Sequence, residues 1–120
     1  MVSTTCHCGA VTVEIPYPPA TLTQCDCSIC RRYGTLWAYY REHEVRIDAA
    51  GGATAAYDWG RKSLRFVRCA HCGCITHWQR SRGERDDRIG INARNFTPEQ
   101  IGPARVRRLD GAVSEQYLDA

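Results

Sequence analysis

In the run AVTVEI, Val11, Val13 and Ile15 fall on one face of the chain while Thr12 and Glu14 fall on the other. A period of two is that of a half-buried strand, and the PYPP that follows at residues 16–19 ends it, because proline cannot donate to a ladder. Seven further runs are strand-like: TLWAYYR from Thr35, EVRID from Glu44, ATAAYDW from Ala53, SLRFVRC from Ser63, CITHWQR from Cys74, RIGINAR from Arg88 and ARVRRLD from Ala104. Most are rich in β-branched and aromatic residues, and turn residues recur between them at short intervals. One helix is expected, in FTPEQIG, where Thr97 caps, Pro98 sits at a position that needs no N–H donor, and Gly102 ends the turn. The pattern predicts a single mainly β, mostly antiparallel domain over residues 1–120 with one short helix. At that length one core is buried, not two.

Composition narrows the functional classes. Hydrophobic residues make up 43% and charged residues 24%, values of an ordinary globular chain. No apolar run approaches the roughly 18 residues that a membrane span needs. The net charge of +3 comes from scattered arginines rather than one basic block, so no nucleic-acid partner is predicted. MVSTTCHCGA has neither the basic start nor the apolar stretch of a secretory signal, which predicts a cytoplasmic protein.

That expectation decides how the eight cysteines are read, since in a reducing compartment C-x-C and C-x-x-C pairs hold metal more often than they form disulfides. They fall into three groups: Cys6 and Cys8; Cys25, Cys27 and Cys30; Cys69, Cys72 and Cys74. Cys69, Cys72 and Gly73 match a zinc knuckle, in which a left-handed glycine lets backbone amides face sulfur. Cys6 and Cys8, in an extended segment, point to one side and can supply the other half of a tetrahedron. Such a site closes a loop of about sixty residues and is expected to be structural. Two other pairings stay open on spacing alone: a separate site on Cys69, Cys72 and Cys74, or Cys74 completing the middle group.

If Cys74 stays out, the middle group offers three ligands and an open fourth position, the pattern of a catalytic zinc. A structural site closed by a histidine or carboxylate from elsewhere is the competing reading. Three thiolates make the ion a weaker Lewis acid than imidazoles do, which suits thiol or aldehyde chemistry better than hydrolysis. Arg31 and Arg32 follow directly and could grip carboxylates bidentately. Tyr33, Trp37 and Trp78 are expected to pack rather than line a pocket. The four histidines, His7, His43, His71 and His77, are not expected to be ligands, and GERDD at residues 83–87 is expected to be an exposed loop tip.

CHCGAV, CDCSICRRYG, LRFVRCAHCGC and IGINAR, in that order and spacing, resemble the glutathione-dependent formaldehyde-activating enzyme family, whose domain also occurs in centromere protein V. The resemblance covers nearly the whole chain and implies the Mss4-like β-tent fold. It implies two zinc ions: a structural one on Cys6, Cys8, Cys69 and Cys72, and a catalytic one on Cys25, Cys27 and Cys30. It implies a carbon–sulfur lyase-type enzyme that joins formaldehyde, or a related aldehyde, to a thiol such as glutathione, with Asn92 near the site. Cys74 stands where the family more often has Thr or Ser, and little sequence precedes the first cysteine pair. The alternative expectations are a non-catalytic zinc-built binding module, and a metal-free redox dithiol on Cys72 and Cys74 or the middle group.

Overall fold

The computed structural model of the chain describes residues 1–60, 63–81 and 86–118. Eleven strands run in chain order: β1 (Val2–Thr5), β2 (Val11–Ile15), β3 (Thr21–Cys25), β4 (Trp37–Arg41), β5 (Arg46–Ala49), β6 (Thr54–Trp59), β7 (Leu64–Cys69), β8 (Ile75–Arg80), β9 (Arg88–Asn92), β10 (Arg105–Asp110) and β11 (Gln116–Tyr117). Two short helices interrupt them, α1 (Ser28–Tyr33) and α2 (Pro98–Ile101). All eight expected strand runs are present. Sequence reading missed β1, β3 and β11, which carry few apolar residues or are only two residues long.

The helix α1 was also not expected. Its six residues are too few to display a 3.6-residue period, and its N-cap is Cys27, whose sulfur accepts from the Cys30 N–H at 3.4 Å in place of the usual oxygen. Gly34 ends it with φ 67°. The expected helix α2 has the predicted cap, with Thr97 Oγ1 accepting from Gln100 N and the Gln100 side chain accepting from Thr97 N.

The strands form two sheets. The smaller runs β1-β2-β5, and the larger runs β11-β10-β3-β4-β9-β8-β7-β6. Every pairing is antiparallel except β3 with β10, which run parallel and set Cys25 beside Leu109. Between β7 and β8 the register shifts next to Arg68, a bulge that leads into the turn carrying Cys72 and Cys74.

Each face of the larger sheet carries its own core. Val11, Val13, Ile15, Leu22, Ala38, Tyr40, Ile89 and Ile91 are buried in one cluster, which includes Cys6 and Cys69. The other holds Ile29, Cys30, Trp37, Phe66, Ile75 and Trp78. Strand β4 serves both, sending Ala38 and Tyr40 to the first and Trp37 to the second, as its period of two requires.

A close backbone approach holds the second core in place. A Cβ added at Gly90 would fall inside the Trp78 indole, against Nε1 and Cε2. Gly90→Ala is therefore expected to lower stability by roughly 1–3 kcal/mol, the usual range for overpacking a well-filled core. Urea denaturation that shows a loss under about 0.5 kcal/mol would mean Trp78 does not depend on that contact.

Candidate metal centres and the cavities beside them

The sulfurs of Cys6, Cys8, Cys69 and Cys72 all lie within 4.8 Å of one another. Cys6 and Cys8 are the turn after β1, and Cys69 and Cys72 are the end of β7 and the turn beyond it, so the cluster joins the two sheets. Cys6 Sγ lies 3.7 Å from Cys8 Sγ, and Cys8 Sγ lies 3.5 Å from Cys69 Sγ. A tetrahedron with metal–sulfur bonds of about 2.3 Å has edges of about 3.8 Å, so the spacing fits an ion.

Backbone donors face these sulfurs. Val11 N donates to Cys6 Sγ at 3.4 Å, and His71 N and Cys72 N donate to Cys69 Sγ at 3.4 and 3.5 Å. A glycine with positive φ turns the chain back in each case, Gly9 at +86° and Gly73 at +81°, with their N–H groups donating to Cys6 O at 3.1 Å and Cys69 O at 3.0 Å. Cys72 is brought down to about 5 mainly by the backbone N–H of Cys74. Cys6 and Cys69 are buried among the aliphatic side chains of the first core, and Cys8 is exposed.

A second group brings Cys25, Cys27 and Cys30 together, again with their sulfurs within 4.8 Å. Cys25 ends β3, Cys27 caps α1, and one turn of helix carries Cys30 back to them. Trp37 Nε1 donates to Cys30 Sγ at 3.3 Å, and because an indole N–H cannot accept, the bond favours the thiolate. Cys25 is brought down to about 6 by the hydrogen bond it accepts from Cys30, and Cys30 is pushed up by the same bond. Soft thiolate sets of three and four suit a thiophilic divalent ion. Among the described residues no histidine or carboxylate joins either group, and neither does Cys74. Cys74 instead packs, half-buried, against the first core.

Two cavities meet the three-thiol group. One, of about 320 Å³, is lined by Cys25 and Cys30 together with Asp26, Arg31, Thr35, Arg94 and Arg108. Thr35 Oγ1 is buried in its wall with no hydrogen-bond partner among the described residues. The other, of about 580 Å³, is lined by all three cysteines and by Trp37, Trp59, Phe66 and Trp78. Residues of the C-terminal segment wall both: Leu109 lines each, Leu118 the first, Gly111 and Glu115 the second. Asp26 N donates to Leu109 O, and Ala112 N donates to Asp26 Oδ1 at 3.1 Å, which ties that segment over the cluster. A Cβ at Gly111 would strike Cys25 Sγ.

The remaining candidates separate. Arg31 lines the smaller cavity, whereas Arg32 donates to Ser28 O at 2.8 Å and lines a different hollow with Tyr33 and Arg68. Asn92 lines neither cavity beside the cluster. Its Nδ2 donates to Ile75 O at 2.8 Å and its Oδ1 accepts from Leu36 N and Arg94 N, so it ties β8 and β9 to the start of β4. Trp37 and Trp78 are buried as expected and also form cavity wall. His77 is buried, and burial brings it down to about 4, so it stays neutral beside Thr76 Oγ1 at 2.8 Å. Of GERDD, residues 83–85 lie outside the described residues, while Asp86 and Asp87 pair with Arg80 and Arg41. Arg94, Arg108 and Thr35 were not singled out by sequence reading, since only the fold brings them to the cysteines.

A family model described as glutathione-dependent formaldehyde-activating enzyme matches residues 1–106. The crystal structure of a Rhodobacter sphaeroides protein is similar, with 31% identity, a TM-score of 0.70, and coverage of 88% of this chain and 99% of that chain. No curated protein matches the chain.

The loop between Cys8 and Cys69 spans 61 residues and costs about 4 kcal/mol to close on the cross-link account, against about 2 kcal/mol for the six-residue middle group. Cys69→Ser is therefore expected to aggregate or melt at least 10 °C lower, and Cys27→Ser to stay folded while binding one fewer zinc. Wild-type protein refolded with zinc should hold two equivalents by elemental analysis. Equal melting losses in the two variants, or a single equivalent in the zinc-saturated wild type, would overturn this division between the clusters.

Proposed function

The chain belongs to the glutathione-dependent formaldehyde-activating enzyme family, and on that premise we propose that it is a two-zinc carbon–sulfur lyase-type enzyme that joins a thiol such as glutathione to formaldehyde or a related aldehyde. The observation that carries this reading is the contrast between the clusters: four thiols close on one another between the sheets, while three open onto two cavities. In this reading Cys6, Cys8, Cys69 and Cys72 hold a structural ion, and Cys25, Cys27 and Cys30 hold the reactive one. Zinc at the three thiolates supplies an open coordination position that can hold a thiolate or polarise a carbonyl.

The chain's own residues supply the rest. Arg31, Arg94 and Arg108 surround the smaller cavity and favour a ligand with carboxylates, of which glutathione has two. Asp26 in the same wall suits its ammonium, and a polar group of the ligand would give the buried Thr35 Oγ1 the hydrogen-bond partner it lacks among the described residues. Holding thiol and aldehyde beside the same three sulfurs makes the addition effectively unimolecular. In that addition the thiol sulfur bonds to the carbonyl carbon, the C=O π electrons pass to oxygen, and the thiol proton ends on that oxygen. Nothing is oxidised or reduced.

Thiols and aldehydes combine unaided, so product at equilibrium is no test. Exchange NMR on an equilibrated mixture of glutathione, its adduct and either formaldehyde or benzaldehyde separates catalysis from background, since a catalyst changes rates and leaves populations alone. Zinc-loaded protein is expected to speed exchange at least tenfold with one of these aldehydes, and Cys27→Ser to return it to background. Background rates with both, from folded protein carrying two zinc ions, would remove the thiol–aldehyde assignment.

A further inference from the structure

The larger cavity is oversized for formaldehyde. Its volume of about 580 Å³ lies within the range of small-molecule sites, whereas a molecule of two heavy atoms needs space on the order of one water, about 30 Å³. Its walls are also of the wrong kind for a small hydrated aldehyde. All three tryptophans of the chain, Trp37, Trp59 and Trp78, line it, with Phe66, Leu64 and Leu109. Ring centroids of Trp37 and Phe66 lie 6.0 Å apart, and those of Tyr39 and Trp78 lie 5.9 Å apart, edge to face. Such walls pack rings well and desolvate polar groups without replacing their hydrogen bonds.

Among the described residues, the charged groups that line this cavity are Arg80 and Glu115. Arg80 is paired with Asp86 at 3.1 Å and lies over the Trp78 ring, 5.5 Å from its centroid. Glu115 is exposed. The smaller cavity, by contrast, gathers three arginines, so a polar thiol bearing two carboxylates belongs there. The apolar space on the other side of the sulfurs is left for the second reactant.

We propose that the larger cavity receives the ring of an aromatic aldehyde, so that the substrate class of this chain is aryl-bearing aldehydes rather than formaldehyde. The inference rests on the thiol–aldehyde reading above. The bond changes are those already given, with the aryl group carried on the carbonyl carbon. Part of the wall lies beyond residues 1–106, the stretch that the family model matches: Leu109, Gly111 and Glu115 all line this cavity. The selectivity therefore draws on the C-terminal segment and on Trp59 as well as on the buried aromatic residues.

Trp59 is the residue to change. It is 41% exposed and belongs to neither buried cluster, so Trp59→Ala should fold, which melting and a zinc content of two per chain would check. Exchange with glutathione is measured for benzaldehyde and for formaldehyde, and benzyl alcohol, which cannot react, is followed by saturation-transfer NMR. The wild type is expected to favour benzaldehyde at least tenfold per unit of aldehyde, the variant to lose most of that preference, and saturation transfer to benzyl alcohol to weaken in parallel. Formaldehyde preferred or equal, with the ratio unmoved by Trp59→Ala, would overturn the aryl assignment and leave the thiol–aldehyde reading standing. If neither aldehyde is accelerated, the thiol–aldehyde reading and the aryl-aldehyde assignment both fall. Benzyl alcohol then reports whether the cavity is a ring site at all.

Discussion

The fold turns on four sulfurs set where two sheets meet. Cys6 and Cys8 sit in the turn of the three-stranded sheet, Cys69 and Cys72 in a turn of the eight-stranded one, and the Cys8 and Cys69 sulfurs come within 3.5 Å. An ion there links segments far apart in sequence, and thiolate binding on the order of 10 kcal/mol exceeds the loop entropy it must offset. The aliphatic core around Cys6 and Cys69 is consistent with that role, since buried thiolates far from solvent need their charge neutralised by an ion and by backbone donors.

The larger sheet then separates two kinds of interior. One face, aliphatic, is closed by the smaller sheet. The other, aromatic, is covered by the helix α1 and the C-terminal segment, and keeps open space beside Cys25, Cys27 and Cys30. The period of two in β4 makes this economical in residues, because Tyr40 and Ala38 serve one interior while Trp37 reaches across to donate to Cys30 in the other. On the proposed reading, reactivity and stability fall on opposite faces of one sheet.

Much of this was legible in the residues. Alternation located β2, β-branched and aromatic composition between turn signals located the other seven expected strands, and the C-x-x-C-G and C-x-C spacings favoured the grouping of Cys6 and Cys8 with Cys69 and Cys72 that the fold brings together, while spacing alone left the place of Cys74 open. What was not legible has physical reasons. Strands β1 and β3 are short and polar; β1 is held by its neighbour β2, and β3 by β10 from the far end of the described chain. The helix α1 is capped by a sulfur, outside the usual oxygen caps. Arg94, Arg108 and Thr35 carry no local signature and acquire meaning only when β3, β9 and β10 bring them round the cluster. Asn92 looked like a site residue and is a brace between strands.

The one parallel pairing has a consequence for how the molecule assembles. Strand β10 docks on β3 across most of the chain, as the bond from Ala112 N to Asp26, 86 residues apart, records. Contacts so remote form late, since the entropy of bringing the ends together must be met before they return anything. A ribosome also releases this segment well after the cysteines that it covers. Through that interval the three thiols stand without the cover that Leu109 and Gly111 give them, and are more open to oxidants than in the finished fold. An ion bound in that interval would shield these sulfurs before their cover has formed.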